Sequence, residues 1–169
     1  GELLDLIRIP SVSALPEHSG DMQRAAEWVA ARLQKAGVEN VAIMPTGGHP
    51  AVYGDWLHAG EDKPTILLYG HMDVQPADPV ELWETPPFEP TIRNEKIYAR
   101  GACDDKGQAY MHVKAFETMM QTSTLECNVK FILEGEEEIG SNNLEVFIKE
   151  YKDMLAADVV LISDTDILS

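Results

Sequence analysis

Basic side chains and cysteines are the scarce residues of this sequence, and each shortage removes a class of function. Thirteen Lys and Arg stand against 29 Asp and Glu, for a net charge of −16 at pH 7. Such a surface repels phosphate backbones and anionic headgroups, so neither nucleic acid nor a membrane is expected as a partner. Cysteine occurs only at Cys103 and Cys127, too few for a disulfide framework and without a C-x-x-C metal spacing. Both read as reduced thiols, Cys103 as a packed small residue. No apolar run approaches the roughly 20 residues of a bilayer span. The opening GELLDLIRIP has neither the basic start nor the apolar length of a signal peptide, so a cytoplasmic location is expected. Repeats and low-complexity tracts are absent as well.

What is present suffices for one domain with a core: 169 residues, 44% of them hydrophobic. Residues 21–36 place Met22, Ala25, Ala26, Val29, Leu33 and Ala36 on one face at helical spacing, and Gly37 follows as a stop. Residues 38–44 and 51–57 are β-like runs on either side of the turn-forming PTGGHP, and 65–69 is a third strand. Residues 77–90 hold four prolines and read as an irregular excursion, with a short strand at 96–99 beyond it. Residues 107–121 have helical composition, with Tyr110, Met111, Val113, Ala115 and Met119 available for a core face. CNVKFIL at 127–133 is a buried-type strand, 141–151 a helix opened by Ser141 as its cap, and VVLIS at 159–163 a last strand. Strand and helix alternate through the second half, which predicts an α/β fold with a largely parallel sheet flanked by helices.

Open parallel sheets bind ligands beyond the carboxyl ends of their strands, and three strand ends here carry titratable groups. His71 and Asp73 follow LLYG, Glu136, Glu137 and Glu138 follow FILEG, and Asp164 and Asp166 follow VVLIS. Asp104 and Asp105 lie in ARGACDDKG, just before the 107–121 helix. Singly, each has an ordinary reading: a hydrogen-bonded loop histidine, a solvated acidic run, a turn with a helix cap, the polar end of a strand. Gathered at one edge of one sheet, the carboxylates would repel one another unless cations neutralise them. One imidazole among several carboxylates suits zinc, and also manganese or cobalt, rather than calcium. So many acids suit two divalent metal ions bridged by a carboxylate.

In this order and with these separations, GHMDVQP, ARGACDDKG, LEGEEEIGS and ISD resemble the four metal-site motifs of the dinuclear zinc metallopeptidases that include aminoacylase, glutamate carboxypeptidase and carnosinase-like dipeptidases. The segment GHMDVQPADPVELWETPPFEP resembles the dipeptidase branch in particular. By motif position, the resemblance implies that His71 and Asp164 bind one metal, Asp104 bridges both, and Glu138 binds the other. It implies Glu137 as general base and Asp73 as the group that fixes the His71 ring. The implied activity is hydrolysis of amide bonds in dipeptides or small peptides by a metal-activated water, with small peptides as substrate and two divalent ions, zinc first, as cofactors. Glu136 is given no chemical role and is taken as solvated or structural, while Asp105 and Lys106 are read either as a helix cap and a local counter-charge or as groups that support the metal ligands from behind.

Relatives of this kind continue past the fourth motif into a lid or dimerisation domain and return for a last metal-binding histidine, whereas this sequence ends at Ser169. The chain is therefore expected to be the N-terminal segment, residues 1–169, of an incomplete zinc-peptidase-like catalytic domain, weakly active or inactive alone, from a parent that forms a homodimer. His18, His49, His58 and His112 lie outside the motifs and are given no role. Two further readings share some of the same residues: an N-acyl amino acid deacylase of the same family, and a non-catalytic metal-binding fragment. A third, a haloacid-dehalogenase-like phosphatase built on ISDTD, lacks room for that family's downstream motifs.

Overall fold

The computed structural model describes residues 1–122 and 125–165. Helices α1 (Glu2–Ile7) and α2 (Ser19–Ala36) precede strands β1 (Glu39–Met44), β2 (Ala51–Trp56) and β3 (Thr65–His71). A hairpin of β4 (Thr91–Arg93) and β5 (Lys96–Tyr98) leads to α3 (Lys106–Thr122), β6 (Asn128–Glu134), α4 (Leu144–Glu150), α5 (Lys152–Leu155) and β7 (Val159–Ile162).

Helix α2 buries the face its spacing predicts. It stops where Gly37, at φ +95°, lets its own N–H reach the Gln34 carbonyl and that of Val38 the Leu33 carbonyl. Helix α3 buries only part of the face expected: Val113 is buried, together with Ala109 and Phe116, while Met111 and Met119 are exposed. Its sequence is apolar on several sides, so hydrophobicity alone chooses no face. Packing against α2, β3 and β6 does, with Phe116 set edge-on to Phe131 of β6 at 5.7 Å. The helix expected from Ser141 begins at Leu144. Ser141 instead takes φ +51° and donates its hydroxyl to Glu134 Oε1 at 2.9 Å.

The strand order is β1-β2-β6-β3-β7. β3 pairs in parallel with β6 and with β7, while β2 pairs antiparallel with β6 and with β1. The sheet is thus mixed, and its parallel part is made of the three strands whose ends carry the candidate residues. Alternate side chains feed two cores, as a pleat requires. Val52, Phe131 and Leu133 meet α2 and α3 on one face, whereas Ala51, Tyr53, Leu67 and Ile132 meet Phe147 and Leu155 on the other. All seven residues of β6 are buried, and each large apolar side chain so covered contributes roughly 1.5–3 kcal/mol. Among the described residues, no helix is long and apolar enough to cross a membrane.

Candidate metal centre

The register His71↔Glu134 in β3 and β6, and Tyr69↔Ile162 in β3 and β7, makes the chain leave all three strands at the same end. β3 finishes on His71, which is fully buried, and its backbone N–H donates to Asp105 Oδ2 at 3.1 Å. Gly70 allows this approach, because a Cβ there would stand 2.7 Å from Asp105 Oδ2 and 3.2 Å from the Ala109 Cβ. The start of α3, with Asp104 and Asp105 just ahead of it, is thereby drawn against the end of β3.

The two nitrogens of His71 face different surroundings. Nδ1 lies 3.1 Å from the Asp73 carbonyl oxygen and 3.3 Å from Asp73 Oδ1. The carbonyl contact has hydrogen-bond geometry and the carboxylate contact does not, since Oδ1 has no directed donor. Nε2 lies 3.2 Å from Asp104 Oδ1, 3.6 Å from Asp164 Oδ2 and 3.8 Å from Glu137 Oε2. Donor atoms of His71, Asp104 and Glu138 fall within 4.8 Å of one another, and so do those of His71, Glu137 and Asp164. Five of the six residues given roles from the sequence therefore meet in one place, in two triads that share the imidazole, and the sixth, Asp73, lies against His71 Nδ1. Glu137 and Glu138 reach different triads from a 3-10 turn at Glu137–Ile139. That turn is held where the Glu138 N–H donates to Asp73 Oδ2 at 3.1 Å and Gln75 Nε2 donates to Glu138 Oε2 at 2.8 Å.

Carboxylates crowd this place, and among the described residues no lysine or arginine forms an ion pair with those of the two triads; their acidities show it. Burial, reinforced by neighbouring carboxylates, pushes Glu137 and Glu138 above the usual carboxylate range and Asp105 up to about 6. Burial favours neutral His71, yet the close approach and charge of the Asp73 carboxylate, with the charges of Asp105 and Glu137, outweigh it and hold the imidazole up at about 10. The cluster thus draws a positive charge to Nε2. Buried Asp105 Oδ1 also lacks a hydrogen-bond donor. One imidazole nitrogen with convergent carboxylate oxygens is a donor set that fits zinc, manganese or cobalt.

Other residues take places that the sequence did not disclose. Glu136 is buried and accepts from the His49 backbone N–H at 3.2 Å and from Asn143 Nδ2 at 2.8 Å, so it clamps two loops behind the site. Asp105 serves the His71 N–H rather than capping α3 with its side chain. Fully buried Lys106 donates to the carbonyls of Leu6 at 3.2 Å and Ile9 at 2.7 Å, tying α3 to the end of α1. Cys103 is exposed, not packed. His18, His49, His58 and His112 belong to neither triad among the described residues. Asp166 lies outside the described residues.

Residues 67–169 match the sequence profile of peptidase family M20/M25/M40. The chain is 34% identical over 164 residues to a cysteinylglycine-S-conjugate dipeptidase of Corynebacterium striatum, covering 96% of the chain and 36% of that protein. It is 39% identical over 170 residues to the β-Ala-His dipeptidase of Mus musculus, covering 94% of the chain and 35% of the enzyme. The crystal structure of an M20 family metallo-carboxypeptidase from Sulfolobus solfataricus superposes with a TM-score of 0.87 at 39% identity, covering 94% of this chain and 35% of that one. The chain accordingly spans about a third of the length of the relatives it matches.

Proposed function

The chain belongs to peptidase family M20/M25/M40, and from that premise we propose that it carries most of the metal centre of a peptidase acting on dipeptides or other small peptides. The observation that carries this reading is the convergence on His71 Nε2 of carboxylates from three separate segments, Asp104, Glu137 and Asp164. The matched relatives named as dipeptidases, and the one named as a carboxypeptidase, support peptides as substrate ahead of N-acyl amino acids.

In this reading His71 and Asp164 would hold one divalent ion and Glu138 a second, with Asp104 available to both. Zinc is the first choice, with manganese or cobalt able to take the same donors. Bound there, the ions would act as Lewis acids and bring the acidity of water towards neutrality. Glu137 is the general base. Its carboxylate stands at the mouth of the cluster, about a third exposed, and burial raises its pKa above the usual carboxylate range. It takes that proton from the attacking water and delivers it to the leaving amine nitrogen, so that C–N cleavage does not release an amide anion. Asp73 orients the His71 ring through its carbonyl and carboxylate. A further metal ligand and the groups that grip the substrate's ends come, on the same reading, from parts of the parent protein outside this chain.

Glu137→Gln in the parent enzyme tests the reading. Dipeptide turnover is expected to fall about 10²–10⁴-fold with zinc content unchanged. Undiminished turnover would remove Glu137 from the chemistry.

A further inference from the structure

We propose that Ser13 is a positioning residue of the metal centre, fixing the Asp73 carboxylate so that one oxygen faces His71 while the other holds the Glu137–Glu138 turn. The proposal rests on the metal-centre reading and extends it to a segment that none of the four motifs contains.

The segment before α2 lies along the continuation of β3. Val12 and Val74 form an isolated parallel bridge, Ser11 Oγ donates to the Met72 carbonyl at 2.7 Å, and the Val74 N–H donates to the Ser11 carbonyl at 2.9 Å. This places Ser13 Oγ–H 2.6 Å from Asp73 Oδ2. Ser13 is 6% exposed and Asp73 fully buried, so water does not compete for this bond. A hydroxyl donating to a carboxylate is a strong, short hydrogen bond. The same Oδ2 accepts the Glu138 N–H at 3.1 Å, which leaves Oδ1 turned to His71 Nδ1 at 3.3 Å.

The torsion that turns an aspartate carboxylate is soft. Two donors on Oδ2 fix its plane, and Ser13 supplies the one that does not belong to the metal-site turns. Asp73 touches both triads, through the ring of His71 and the backbone of Glu138, so the Ser13 hydroxyl acts on both. Its own position is braced from behind. His49 Nε2–H donates to the Ser13 carbonyl at 3.0 Å, and the His49 backbone N–H donates to Glu136 Oε1 at 3.2 Å.

The test is a Co²⁺ titration of the metal-stripped parent enzyme, read by visible absorption, on wild type, Ser13→Ala, Ser13→Thr, Asp73→Asn and the Ser13→Ala/Asp73→Asn double variant. Ser13→Ala is expected to weaken binding about tenfold or more, in the range for lost partners of metal ligands, and to shift the ligand-field bands. Ser13→Thr, which keeps the hydroxyl, is expected to restore both. In the Asp73→Asn background Ser13→Ala is expected to cost nothing further, because the two act as a unit. Equal affinity and spectrum in Ser13→Ala, or an equal loss in both backgrounds, overturns the role of Ser13 alone. Absence of Co²⁺ binding by the wild-type parent enzyme, in which the ligand from outside this chain is present, overturns the metal-centre reading and the Ser13 role with it.

Discussion

The molecule holds two groups of carboxylates whose acidities are displaced in opposite directions. On the helical side, Glu2 and Glu117 surround the buried guanidinium of Arg32, with Nε 3.1 Å from Glu2 and Nη2 2.6 Å from Glu117. Lys35 reaches Glu2 at 2.6 Å, and Lys114 pairs with Glu117. Hydrogen bonds and charge from these partners hold Glu2 and Glu117 below the usual carboxylate range. At the strand ends, Asp105, Glu134, Glu137 and Glu138 are all held above it, chiefly by burial. The first group is complete within the chain. Among the described residues, the second has His71 within ion-pair distance of Glu137 and no lysine or arginine so placed, and it is complete only when further positive charge is supplied. A net charge of −16 is thus two situations, and only one of them calls for a ligand.

The comparison can be broken from its paired side first. Replacing Arg32 by Met keeps the bulk but strands Glu2 and Glu117 beside an apolar chain. Urea unfolding is expected to register a loss of about 2–3 kcal/mol, below the 3–5 kcal/mol of a fully buried pair because both glutamates keep some water. An unchanged midpoint would mean that the pairing contributes nothing. A smaller effect of opposite sign is expected at the site. In chelator, Glu138→Gln removes one of several repelling charges and should raise stability by up to about 1 kcal/mol, whereas Glu117→Gln should lower it. Two shifts of the same sign would erase the distinction between the groups.

The smallest effect is one of pH. The Lys35 and Tyr110 hydrogen bonds, with the charge of Arg32, hold Glu2 at about 2, below its unfolded value of about 4.3. A depressed carboxyl stabilises the fold fully above the unfolded value, and that contribution disappears as pH falls towards the folded one. The stability difference between wild type and Glu2→Gln should therefore be constant above about pH 5 and shrink between pH 4 and 2. A difference that grows on acidification would contradict the assignment.

The distinction was partly legible in the sequence. Strand runs that end in His71, Glu137–Glu138 and Asp164 are local patterns, and the rule that parallel strands present their carboxyl ends together was enough to gather them. Residues 38–44 and 51–57 were legible as neighbouring strands across their turn, but long-range pairing was not: nothing near Val52 announces that it lies opposite Leu133, so the antiparallel pairing of β2 with β6 stayed hidden. Helix α3 offered apolar residues on several sides, and its buried face was set by neighbours remote in sequence. The sequence left Glu136 as solvated or structural, and burial decides for the second: it is a clamp between two loops. Ser13, in a stretch of small residues before a helix, carries no pattern at all, and its partner Asp73 becomes apparent only in three dimensions.

The central claim, that the strand-end carboxylates form a metal site, is tested most directly by zinc content after stripping, reloading and exhaustive dialysis. The variants to compare are His71→Ala, Asp104→Ala and, from the paired group, Glu117→Gln. The account predicts that wild type and Glu117→Gln retain zinc while His71→Ala and Asp104→Ala lose it or hold it at least about tenfold more weakly. Equal retention in all four proteins would contradict it, because the metal would then be sitting on ordinary surface acids.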